Sequence, residues 1–199
     1  HKISKKEKIL IATHNPGKAE EFKQLFKPYK IKTFFSSDFG IMEPQETGST
    51  FKENSLLKAK SGLRSGLTVI SDDSGLCVSA LDGEPGIFSA RLAKKCGGWS
   101  GAMQKIYTRI LNTNSNNFSA KYICCLTIAW QDGKVKSYTG EIKGAIKWPP
   151  VGSNGFGYDP FFYPEGSSVS FGQMEKSKKM NIDHRSIAFK KIIKNHYKN

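Results

Sequence analysis

The run Lys8-Ile9-Leu10-Ile11-Ala12-Thr13 gives way, across His14-Asn15-Pro16-Gly17-Lys18, to apolar residues at helical spacing. So abrupt a change of period leaves few choices of fold. The apolar run reads as a short buried strand bounded by charge. Asn15 is a good helix N-cap, and Pro16 suits the first helical position, where its missing N–H costs nothing. Ala19, Phe22, Leu25 and Phe26 then form the buried side of a helix, and Pro28 ends the pattern. Strand, tight turn and helix open an α/β protein.

The rest of the chain extends that reading. Thr50-Phe51-Lys52-Glu53 matches a capping box. It opens a helix whose apolar residues are Phe51, Leu56, Leu57, Ala59 and Leu63, with Gly66 after its end. Residues 68–71 and 76–81 read as two strands joined by a turn at Asp72-Asp73-Ser74-Gly75. Residues 102–111 read as a helix, and 121–130 and 134–146 as long antiparallel strands around a turn at Asp132-Gly133. Residues 161–163 form a short apolar run between prolines. Residues 185–194 read as a closing helix with Ala188, Ile192 and Ile193 on its apolar side. Early alternation followed by a hairpin predicts an α/β protein with a mixed sheet flanked by helices. A lone hairpin is unstable, so it must extend that sheet or build a second lobe.

Composition narrows the class. The 199 residues, 38% hydrophobic and 24% charged, suit a single globular domain, 1–199, or two lobes sharing one core. No apolar run approaches the ~20 residues that span a bilayer. No basic start, apolar stretch and cleavage site mark a secretory signal. His1 stands where Met is expected, as a trimmed start or a tag remnant would leave it. Cys77, Cys96, Cys124 and Cys125 make no C-x-x-C pair, which argues against zinc and thioredoxin-like chemistry. Free thiols in a reducing compartment are expected, and with them a cytoplasmic location. The formal charge of +14 raises the question of a nucleic-acid partner. The lysines are scattered, however, and attraction of a small polyanionic substrate explains the charge as well. The expectation is a protein with no nucleic-acid and no membrane partner.

Four places carry candidate chemistry. The turn Thr13, His14, Asn15, Pro16, Gly17 and Lys18 offers free backbone N–H groups and a positive dipole end, which favour phosphate. It lacks the G-x-x-x-x-G-K-[ST] of a Walker loop. At Asp72-Asp73-Ser74-Gly75 adjacent carboxylates repel unless a cation or donor compensates them, and Mg²⁺ favours one or two carboxylates plus phosphates and water. The loop GSNGFGYD, residues 152–159, lets backbone approach a ligand closely. Its Phe156 and Tyr158 rings could stack on a base, and Asp159 could accept from a ring N–H. Last, Asp183 is a plausible N-cap before His184 and Arg185. An Arg in a first helical turn opposes the dipole, which makes an anionic or carbonyl-bearing partner attractive there.

Taken in order, Thr13-x-Asn15-x-x-Lys18, Glu46-Thr47-Gly48-x-Thr50-Phe51-x-Glu53-Asn54, Ser71-Asp72-Asp73-Ser74-Gly75-Leu76, Pro85-Gly86-Ile87-Phe88-Ser89-Ala90-Arg91, Gly155-Phe156-Gly157-Tyr158-Asp159-Pro160 and His184-Arg185 run along nearly the whole chain. With these motifs the chain resembles the inosine/xanthosine triphosphate pyrophosphatase family. The resemblance implies cleavage of ITP, dITP and XTP to the monophosphate and pyrophosphate. It also implies Mg²⁺ as cofactor, an elongated mixed sheet with two lobes and a central substrate cleft, and a homodimer. By resemblance, residues 13–18 bind phosphate, Asp73 is the catalytic acceptor and a metal ligand, and Ser74 touches substrate. Phe156, Gly157, Tyr158, Asp159, His184 and Arg185 hold the base, and Lys179 is a further substrate-binding lysine.

Two departures stand out. Where the family often carries adjacent acids before Thr-Gly, this chain has Gln45 and Glu46, so Glu46 is the expected second metal ligand. Asp183 stands where the family usually has Ser. Two other readings remain open on the residues alone. One is a house-cleaning hydrolase of other modified triphosphates, which a substrate panel separates. The other is a basic nucleic-acid-binding protein, which needs a continuous basic face.

Overall fold

The structure, a computed structural model, describes residues 1–198. Its strands are β1 (Lys8–Ala12), β2 (Lys32–Phe35), β3 (Thr68–Val78), β4 (Ser119–Ala129), β5 (Val135–Ile146) and β6 (Phe162–Pro164). They form a sheet in the order β2-β1-β3-β4-β5-β6. β1 pairs in parallel with both β2 and β3, and β5 pairs antiparallel with β6, so the sheet is mixed as expected. The helices are α1 (Pro16–Phe26), α2 (Phe51–Gly62), α3 (Ser89–Lys95), α4 (Trp99–Asn112), α5 (Lys176–Ile182) and α6 (His184–His196).

The chain divides into two compact units. The first comprises His1–Asp73, Cys124–Gly140 and Arg185–Asn199; the second comprises Ser74–Ile123 and Glu141–His184. In the first unit β1 is buried on both sides. Ile9 and Ile11 pack with Phe22, Phe26, Leu126 and Phe189, while Leu10 and Ala12 pack with Val69 and Ile41. That double burial is what an interior parallel strand requires. The second unit has its own core, in which Leu76, Val78, Met103, Ile106, Tyr158, Phe161 and Phe162 meet.

Several expectations need correction. The two strands predicted around Asp72-Asp73-Ser74-Gly75 are one continuous strand, β3, and the acids lie inside it rather than in a turn. Local turn propensity loses here because cations pair with the carboxylates, as described below. The capping box of α2 is half formed. Thr50 Oγ1 accepts from the Glu53 N–H at 3.1 Å, but the Glu53 carboxylate accepts from the Ser49 N–H at 2.7 Å and the Ser49 hydroxyl at 2.8 Å. The buried side of α2 is polar. Asn54, Ser55, Lys58, Ala59 and Gly62 are buried, whereas Phe51, Leu56, Leu57 and Leu63 are only partly covered. On α6 Phe189 joins Ala188 and Ile192 in the core, and Ile193 is half-buried. Helices α3 and α5 were not anticipated.

Candidate active site

In the first unit, register sets the site. Ala12 of β1 pairs with Ser71 of β3, so the residues that follow, Thr13 and Asp72, leave the ladder side by side. In open α/β sheets ligands gather at the carboxyl ends of parallel strands. The turn after β1 is built as its sequence dictates: Asn15 caps α1 by accepting from the Lys18 N–H at 3.1 Å, and Pro16 begins the helix. Thr13 Oγ1 accepts from the Asn15 N–H at 3.1 Å, which tightens the turn. His14 is exposed, and its Nε2 lies 2.8 Å from the Ile41 carbonyl. The Lys18 ammonium pairs with Asp72 Oδ1.

Asp72 and Asp73 have opposite environments. Asp72 is 1% exposed. Its Oδ2 accepts from Arg185 Nε at 2.9 Å and from the Cys124 thiol at 3.0 Å. Arg185 is itself fully enclosed, and its Nη1 pairs with Glu21 of α1. Burial alone would raise the Asp72 carboxyl; Arg185 first, then Lys18, overcome that and hold it well below the usual carboxylate range. Asp73 lacks such cover. Its Oδ1 stands 3.4 Å from Lys58 Nζ, and its buried Oδ2 has no hydrogen-bond partner among the described residues. Burial, aided by Glu46 and Asp72 against the pull of Lys58 and Lys18, pushes its pKa up to about 6.

Lys58 ties the acids together. Its ammonium pairs with Glu46, donates to the Asp72 carbonyl at 2.9 Å and faces Asp73. Burial would lower this ammonium, but Asp73 and then Glu46 outweigh it and raise its pKa. Sequence reasoning missed Lys58. It is one lysine among many, and only its position on the polar, buried side of α2 distinguishes it.

The second unit holds Ser74, half-buried on β3, and a separate network around Asp159. Asp159 is buried. Its Oδ1 accepts from the Tyr122 hydroxyl at 3.2 Å, and its Oδ2 from Lys179 Nζ at 2.7 Å and from the Phe156 N–H at 3.0 Å. Gly155 holds a positive φ of 70°, and a Cβ there would fall 2.1 Å from Asp159 Oδ2, so only glycine lets the loop wrap this carboxylate. Lys179 of α5 lies 5.0 Å from the centre of the half-buried Phe156 ring. The His184 ring stacks on Tyr122 at 4.7 Å, nearly parallel at 8°. Gly157 is half-buried within the same loop. Tyr158, expected to offer its ring to a base, is instead 2% exposed. It packs edge-on against Trp99, and its hydroxyl donates to the Ser89 carbonyl at 2.7 Å. Arg185, expected at the base, spends Nε and Nη1 within the first unit. Tyr122 and Cys124 were not singled out by the sequence, because a strand residue's partners depend on its neighbours across the sheet.

Residues 9–195 match the model of the Ham1 family. The chain belongs to the Ham1 family. A curated dITP/XTP pyrophosphatase of Rhodopseudomonas palustris is 41% identical over 197 residues, covering 93% of each chain. A protein of the same name from Caulobacter vibrioides is 42% identical over 186 residues, covering 93% of this chain and 95% of that one. Among solved structures, a HAM1 protein from Coxiella burnetii superposes with a TM-score of 0.87 at 31% identity, covering 95% of this chain and 98% of that one. The matched residues span both units.

Proposed function

We propose that this chain is a nucleoside-triphosphate pyrophosphatase that hydrolyses the non-standard purine nucleotides dITP, XTP and ITP to the monophosphate and pyrophosphate, with Mg²⁺ as cofactor. One observation carries the chemistry: a buried carboxylate oxygen, Asp73 Oδ2, stands without a partner beside two lysines. A buried acceptor left unmade is costly, so a ligand that completes it is expected.

The oxygen donors suit magnesium. Asp73 and Glu46 converge on Lys58, and magnesium takes one or two carboxylates, completing its shell with phosphate oxygens and water. When bound, the ion would polarise the phosphoryl group and the attacking water. The chain's own residues do the rest. The first N–H groups of α1 and the Lys18 ammonium bind phosphate oxygens. Asp72, anionic because Arg185 and Lys18 hold it so, keeps Lys18 aimed. Asp73 orients the water and accepts its proton at Oδ2. Phe156, Gly157, Lys179 and His184 are assigned to the base. A buried donor facing position 6 pairs with the oxo group of hypoxanthine or xanthine and is left unpaired by the amino group of adenine.

The deciding experiment measures pyrophosphate release across a nucleotide panel, with Mg²⁺ and with EDTA. The expected result is Mg²⁺-dependent turnover of dITP and XTP at least about tenfold faster than of dATP and dGTP. Equal rates on all purine triphosphates would defeat the specificity. Undiminished turnover in EDTA would remove the metal.

A further inference from the structure

The polar buried side of α2 is unusual for a helix on a small core, and it needs a reason. Asn54 and Lys58 are four positions apart, hence one above the other on one side of the helix. Lys58 grips Glu46 by its carboxylate. Asn54, fully buried, grips the same segment by its backbone: Asn54 Oδ1 accepts from the Gly48 N–H at 2.8 Å. An N–H can be satisfied only by oxygen, which fixes how the amide is turned. The fit leaves no slack. A Cβ on Gly48 would lie 2.6 Å from Asn54 Oδ1 and 2.7 Å from Glu53 Cβ. Next along the chain, Glu53 holds the Ser49 N–H and hydroxyl, but from an exposed position. An exposed tie of this kind contributes little, whereas the partly buried bond to the fully enclosed Asn54 side chain limits competition from water.

From this geometry we infer that Asn54 is a positioning residue for Glu46: it locks Gly48, two residues on, so that Glu46 is presented to Lys58 and Asp73. This rests on the proposed role of Glu46 in the pyrophosphatase site. Asn54 itself touches neither metal nor phosphate in this account. It acts through the Gly48 N–H, and Gly48 must be glycine for the two to meet.

The test uses the full chain and reads loop and chemistry separately. In Asn54→Ala, hydrogen exchange at the Gly48 amide should accelerate at least about tenfold while amides of β1 stay protected. Turnover of dITP should fall about tenfold, mainly in kcat. Combined with Glu46→Gln, Asn54→Ala should then cost less than about twofold more, because residues acting through one group are not additive. Gly48→Ala, which presses on the same contact from the other side, should reproduce the exchange and kcat changes, and it serves if Asn54→Ala does not fold. Unchanged Gly48 exchange, or losses that multiply in the double variant, overturns the inference. An unmodified chain that fails on dITP and XTP sinks the pyrophosphatase reading instead, and the exchange result then stands or falls by itself.

Discussion

Each unit buries a carboxylate against a lysine, and the two sites are finished to different degrees. Around Asp159, Tyr122, Lys179 and the Phe156 N–H serve both oxygens. Around Asp73, one oxygen has a distant lysine and the other has no partner among the described residues. A buried polar group is ordinarily satisfied, and an exception calls for an explanation. The Asp159 carboxylate is therefore satisfied within the protein, and it ties the Gly-aromatic loop to α5. At Asp73 the protein leaves one buried carboxylate oxygen without a hydrogen-bond partner among the described residues, which is why the proposed reaction is placed there. Asp72, next in the chain to Asp73, belongs with Asp159 in this respect, since cations and a thiol surround it.

The contrast is broken most severely at Asp73. Asp73→Asn keeps the shape and removes both the proposed metal-binding charge and the proposed proton acceptor. Turnover of dITP should fall on the order of 10³-fold while the far-UV circular dichroism spectrum is unchanged. Retention of more than a tenth of the activity would place the proton acceptor elsewhere.

Asp159→Asn attacks the finished site and should do the reverse. It leaves the Lys179 ammonium buried without its carboxylate, a change that costs about 3–5 kcal/mol when a buried pair is broken. Urea unfolding should show that loss. Activity per folded molecule should fall far less than in Asp73→Asn. If stability is untouched and kcat collapses, Asp159 takes part in the reaction and the division between framework and working site is wrong.

This division also explains what the sequence could disclose. The turn after β1 was legible because Asn15 and Pro16 act locally: a cap and a fixed φ need no distant partner. The hairpin at Asp132-Gly133 was legible for the same reason. β3 was misread because Asp-Asp-Ser-Gly has turn propensity, while its extended form rests on Lys18, Lys58 and Arg185, which arrive from α1, α2 and α6. Helix α5, KSKKMNI, shows little apolar periodicity and ties in through Lys179, which pairs with Asp159. The motifs point to loops, but not to which of their side chains face inward. Tyr158 and Arg185 were assigned to the base by resemblance, and in the structure they make contacts within the protein. Lys58 and Asn54 look like ordinary residues of a helix until the side they share is seen to be buried.

The smallest effect separates the two neighbouring acids by pH, in protein freed of metal with EDTA. The Asp72 carboxyl is held below its ordinary value, so its ionised form stabilises the fold. That contribution is fully present above the unfolded pKa of about 4 and is lost as pH falls below it. Asp73 has the opposite sign. Its pKa of about 6, against 3.8 for the free carboxyl, means the folded protein keeps a proton that the unfolded chain has already released. Stability therefore declines as pH rises from about 4 to about 6, and the penalty persists above that, on the order of 1–3 kcal/mol. Asp73→Asn removes this titration and leaves that of Asp72. The Tm difference, variant minus unmodified protein, should be near its minimum at pH 4, grow up to about pH 6 and stay level beyond. Both proteins should lose stability together below pH 4. Added Mg²⁺ should shrink the difference at pH 7, since the cation stabilises ionised Asp73 in the unmodified protein alone. A difference that does not change between pH 4 and 7 would mean that Asp73 is as well compensated as Asp72, and the distinction between the finished and the unfinished carboxylate would fall.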